Sequence, residues 1–106
     1  MRATDSLYHL VSRDDWSRHF DGESYAPPTL ETEGFVHLST LEQLPVSRGR
    51  WFAEVAEPLV IEILAGRLHR LIWEDLHGHG AYPHHYGPIP AEAVREIRIW
   101  NDADAR

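Results

Sequence analysis

The chain has 106 residues, room for one domain with a single hydrophobic core. Its composition, 42% hydrophobic and 25% charged, is that of a globular domain, and no apolar run approaches the roughly 20 residues of a membrane span, so no membrane partner is expected. The absence of cysteine excludes disulfides, thiol nucleophiles and thiolate metal sites, while the net charge of −7 argues against a broad basic surface for extended nucleic acid.

Residues 1–5 carry no signal-peptide pattern, and a cytoplasmic location is the expectation. We expect a single domain over 1–106 with polar ends at 1–5 and 101–106. Residues 7–11 predict a short strand with His9 on the face opposite Tyr8 and Leu10. Ser12 caps a helix running to Phe20, with Asp14 and Asp15 in the first turn and Trp16, His19 and Phe20 along one packing stripe. The proline-containing stretch 23–33 reads as a crossing loop. Residues 34–40 predict a strand in which Phe35, His37 and Ser39 share a face. Thr40 then reads as a helix N-cap with Gln43 at the capping-box position. Pro45 interrupts or restarts that helix, which continues through Trp51 and Phe52 with Arg48 and Arg50 outside.

Residues 59–64 give the clearest strand, expected to be central, and 68–73 a shorter one ending at Glu74-Asp75. The glycines and prolines of 77–90 predict an irregular loop, and Tyr82, His84, His85 and Tyr86 mark it as functional. A helical turn at 91–93 and a half-buried strand at 94–100 close the domain. About five strands with two or three short helices predict an α+β fold around one compact, curved, mixed or antiparallel sheet.

Eight histidines are unusual for this length; protonating all of them would move the charge from −7 to +1 (−7 + 8). A single strand histidine is commonly a hydrogen-bonded structural residue. Two of them, His9 and His37, each flanked by hydrophobics in mid-strand, point instead to a polar ligand such as a sugar hydroxyl or an amide if their strands are neighbours. Glu74 follows Trp73, and an apolar neighbour raises a carboxyl pKa, which suits acid–base work or stabilisation of a cationic transition state. The spacing of His77, His79, His84 and His85 matches no zinc motif, so no metal site is expected. His77 and His79 are expected to be exposed, and the prolines and Gly87 to aim one histidine and Tyr86.

Tyr8-His9-Leu10-Val11, Trp16, the run from Glu33 to Thr40 with Glu42-Gln43, the 59–64 strand, Trp73-Glu74 and Pro83-His84-His85-Tyr86-Gly87-Pro88 together resemble domain-of-unknown-function family 952, a family of small bacterial proteins. Two departures are visible: His85 replaces an aliphatic residue, and the loop before Pro83 reads His-Gly-His-Gly-Ala-Tyr. The family is remotely similar to the ADP-ribosyltransferase superfamily. That resemblance implies an ADP-ribosyltransferase-like split sheet binding NAD, with His9 on the ribose and residues 37–40 as the second-strand motif. The third-position acidic role falls to Glu74 or to the His84–Tyr86 loop.

The candidate catalytic residues are therefore His9, His37, Glu74 and His84. Ser39, Thr40, Tyr86, Arg13 and Arg48 are candidates for binding, the arginines for the pyrophosphate of NAD. NAD is the candidate substrate, with no other cofactor expected. The alternatives are a His/Glu acid–base enzyme on a small metabolite and a non-catalytic module for a small-molecule or nucleotide ligand.

Overall fold

The computed structural model describes residues 5–101; the expected polar ends fall almost wholly outside that range. Strand β1 (Ser6–Val11) leads into helix α1 (Arg13–His19), whose first turn is capped by Ser12 Oγ accepting the Asp15 N–H at 3.1 Å. The α1 stripe packs through Trp16 and Phe20, while His19 lines a cavity instead. Trp16 is buried, its ring 4.7 Å from both Phe20 and Tyr25.

The stretch expected to be a plain loop contains β2 (Ser24–Tyr25) and a single helical turn, α2 (Thr29–Thr32). Neither carries a local signal strong enough to be seen, because β2 exists through its pairing with Ile89 and Pro90 far along the chain. β3 (Val36–His37) is shorter than expected, and its continuation at Ser39 exchanges two backbone hydrogen bonds with Tyr8. Thr40 and Gln43 form the reciprocal capping box, each side chain taking the other's backbone N–H at 3.1 Å. Helix α3 (Leu44–Trp51) follows, with Pro45 in its first turn, where a missing N–H costs nothing.

β4 (Leu59–Leu64) is central, between β1 and β8 (Val94–Ile99), both antiparallel to it. β8 is less covered than its alternation implies: Ile97 and Ile99 remain 45% and 42% exposed on an edge strand. β5 (Leu71–Glu74) pairs with β6 (Tyr82–His85), which also pairs with β3. β7 (Ile89–Pro90) completes the two-stranded ribbon with β2, and a 3₁₀ turn at Ala91–Ala93 matches the expected helical turn.

The sheet is thus split into three small antiparallel pieces, and the fold is α+β. β6 corrects the expectation of an irregular loop over 77–90. Pro83 is compatible with a middle strand because its carbonyl, accepting from Leu38 N–H at 3.0 Å, shows that its missing donor would face the β3 side just beyond the two residues of β3. The main core lies under β1 and β4, built from Leu7, Trp16, Tyr25, Val36, Leu38, Ile61, Ile63 and Ile89.

Candidate functional site

A cavity of about 550 Å³ opens where β1, β3, β5 and β6 converge. Its lining includes His9, His37, Ser39, Glu74 and His84, so five of the candidates share one space. Antiparallel pairing sets His37 directly opposite His84, and their rings meet edge to face at 5.3 Å. The face shared by Phe35 and His37 is confirmed by a ring separation of 4.8 Å, and Phe35 stacks on His84 at 4.0 Å, clamping that imidazole.

Glu74 organises the acidic side. One of its oxygens, Oε1, accepts both the Tyr86 hydroxyl at 2.6 Å and His84 Nδ1–H at 2.9 Å. These bonds, Tyr86 first, hold the Glu74 carboxyl below its usual range. The pKa increase expected from Trp73 does not occur, since that indole is 42% exposed and the hydrogen bonds dominate. Tyr86 is pushed up by the same carboxylate and keeps its proton. Committing Nδ1–H to Glu74 leaves the neutral His84 ring with its lone pair on Nε2, which has no hydrogen-bond partner among the described residues. The ring is 3% exposed and opens only to the cavity. His37 has a weaker copy of this arrangement, with Nε2 3.1 Å from Glu33 on a half-exposed rim.

His9 is different. Nδ1–H donates to the His37 carbonyl at 2.7 Å, so Nε2 must accept, and the Tyr25 hydroxyl donates to it at 2.8 Å. Both ring nitrogens tie β1 to β3 and β2, and burial lowers the His9 pKa to about 4. His9 is a neutral structural clamp in the cavity wall. Burial also raises the Tyr25 pKa, and Asp15 adds to it.

The other candidates lie apart from the cavity. Thr40 is occupied by the capping box, Tyr86 acts from behind Glu74, and Arg13 is exposed on α1. Arg48 donates to the Phe52 carbonyl and packs over Trp100, 5.7 Å from the ring centre. Among the described residues no arginine lines the cavity, whereas Asp15, Glu33, Glu74 and Asp75 all do. Thr40→Ala should lower stability by about 1 kcal/mol in chemical denaturation and leave ligand affinity unchanged. Weaker binding at unchanged stability would return Thr40 to the site.

Sequence reasoning passed over Asp15, Tyr25 and Ser47, which line the same cavity; Ser47 bonds Ser39 through their hydroxyls at 2.7 Å. Only Tyr25 carried a signal, as a lone aromatic in a polar stretch. His77 and His79 are exposed at the rim as expected. Among the described residues no group of three or more His, Asp or Glu side chains is arranged to hold a metal ion, and no helix is long and apolar enough to cross a membrane.

Comparison with solved structures finds protein CC0527 from Caulobacter crescentus. Its crystal structure superposes with a TM-score of 0.79 at 27% identity, covering 94% of this chain and 90% of that one. The solution NMR structure of CC0527 gives a TM-score of 0.73 at 26% identity, with 88% and 82% covered. The curated proteins contain no match. The model of a protein family of unknown function, DUF952, matches residues 10–97, a span that includes β3, the Glu74–His84–Tyr86 cluster and nearly every cavity residue. The chain belongs to the DUF952 family.

Proposed function

We propose that the cavity binds the nicotinamide–ribose half of NAD or a related nucleotide and cleaves its N-glycosidic bond, transferring or hydrolysing the ADP-ribosyl group. The observation that carries this reading is the charge of the lining, in which, among the described residues, four carboxylates and the aromatic rings of Tyr25, Trp51, Phe52 and Tyr82 surround one space with no arginine. The nicotinamide ring of NAD is a pyridinium cation. As it leaves with the bonding electrons, positive charge passes to the ribose as an oxocarbenium ion. Fixed carboxylates stabilise both species, and more strongly where water is excluded.

Glu74 remains ionised for this role because of its two hydrogen bonds. We assign His84 Nε2 as the base that takes the proton of the attacking water or acceptor hydroxyl, and His37 and Ser39 to the ribose hydroxyls. Since Arg13 and Arg48 lie elsewhere, affinity comes from the cationic half of the ligand.

Incubation with NAD, with nicotinamide measured by chromatography, is the direct check. Release above the protein-free rate is expected, and ADP-ribose, which lacks the cationic ring, should bind at least about tenfold more weakly than NAD in calorimetry. Neither heat nor release at millimolar NAD would end the reading. A second reading drops the nucleotide and uses two glutamate-backed imidazoles, His84 and His37, as an acid–base pair on a small metabolite. A bell-shaped pH–rate profile on such a substrate, without nicotinamide release, separates the two.

A further inference from the structure

Successive residues of a strand face opposite sides, so His85 turns away from the cavity that His84 lines. It lines a second, more open cavity of about 450 Å³, together with Ser24, His69 and Arg70. The charge there is reversed. Among the described residues no carboxylate lines this cavity, while an arginine and two histidines do. No hydrogen bond or ion pair from a described residue engages the Arg70 guanidinium.

His85 is only 4% exposed, and its Nε2 is a buried polar atom without a partner. Such atoms are uncommon in folded proteins and ask for a reason. Nδ1–H donates to the Gly87 carbonyl at 2.8 Å, so in the neutral ring Nε2 is a bare lone pair. We propose that this second cavity is a binding site for a small oxyanion, a phosphate or carboxylate group, held by Arg70 and His69 with the His85 ring as the third partner.

The coupling follows from electrostatics. Burial, with Arg70 and His69 adding to it, opposes a proton on Nε2. An oxyanion seated beside them offsets these effects, so the ring takes up one proton from solvent and Nε2 becomes a donor. Among the described residues no other charged or titratable side chain lines the cavity apart from the Tyr86 phenol, which is bound to Glu74. The site is independent of the proposed ribosyl chemistry, because it uses none of the same residues for contact.

NMR of the full chain, following the His85 Cε1–H signal, provides the test. The probes are sodium sulfate, standing for phosphate, and sodium acetate, each against sodium chloride at equal ionic strength. A saturable shift is expected near pH 6, weakening by about tenfold toward pH 8 as the coupled proton becomes scarce. Arg70→Gln, a surface change that leaves folding intact, should weaken binding by about tenfold or more. His85→Leu, followed through the His69 Cε1–H signal, should remove the part of the pH dependence that comes from the His85 proton and leave the Arg70 contribution. Saturation by sulfate alone identifies a phosphate-type ligand, by acetate alone a carboxylate, and by both a general oxyanion site. Shifts that follow ionic strength only, or unchanged affinity in Arg70→Gln, would overturn the proposal.

Discussion

Stability is expected to fall by about 3 kcal/mol as the pH is lowered from about 6.5 to about 4, and His9 is the main cause. In the unfolded chain the imidazole titrates near 6.5, whereas in the fold burial lowers its pKa to about 4. Between those values the unfolded state binds a proton that the native state refuses, so stability rises with pH and is complete above the unfolded pKa. The displacement is worth about 1.4 kcal/mol for each pH unit, giving the total above. His85, also lowered by burial, acts in the same direction. Glu74, held down by its hydrogen bonds, adds a further loss as the pH falls below the ordinary carboxylate range. Urea unfolding at a series of pH values measures this slope. His9→Gln should start from lower stability, with Tyr25 and the His37 carbonyl losing their partner, and should show a much flatter slope. An equal slope in wild type and variant would assign the pH dependence elsewhere.

The second large effect concerns Glu74→Gln, expected to lower nicotinamide release by about 10²–10³-fold with little change in affinity for uncharged ligands. Two losses combine. The amide carries no charge for the oxocarbenium ion that develops on the ribose, and it can present an N–H to His84, favouring the ring form whose Nδ1 accepts and whose Nε2 is already protonated. Nε2 would then no longer serve as a base. Tyr86→Phe separates the contributions, because it removes one of the bonds that lower the Glu74 pKa while keeping both the charge and the His84 contact. A milder loss, with the acid side of the pH–rate profile moved upward, is the expected signature. If Glu74→Gln turned over NAD at the wild-type rate, the carboxylate would have no part in the chemistry.

Much of the architecture was readable where the signal is local. The Ser12 cap, the Thr40–Gln43 box, the apolar run of β4 and the shared face of Phe35 and His37 depend on neighbours within a few residues, and the structure has them all. β6 was missed because its glycine- and proline-rich surroundings argue against regular structure when read alone. It becomes a strand only because β3 and β5 flank it and the missing Pro83 donor falls past the end of β3. β2 and β7 were missed for the same reason, since each is two residues long and their ladder joins positions more than sixty residues apart.

At the site, residue types were readable and roles were not. His9 and His37 look alike in sequence, each a histidine among strand formers, but one is bonded through both nitrogens in the core and the other sits on an open rim. The Glu74 environment was inferred from its neighbour Trp73, yet it is set by Tyr86 and His84, twelve and ten residues away.

By itself the chain determined its α+β class, its local caps and the set of polar residues available for chemistry, since these follow from side-chain type and short-range spacing. Only the tertiary structure decided which imidazole is bonded through both nitrogens and which lines the cavity with one nitrogen bonded to Glu74, that Glu74 stays ionised, and that the arginines of the described residues stand outside the acidic cavity. Hydrogen bonding and desolvation act over a few ångströms of space, and the pairing of distant strands is what brings those partners within reach.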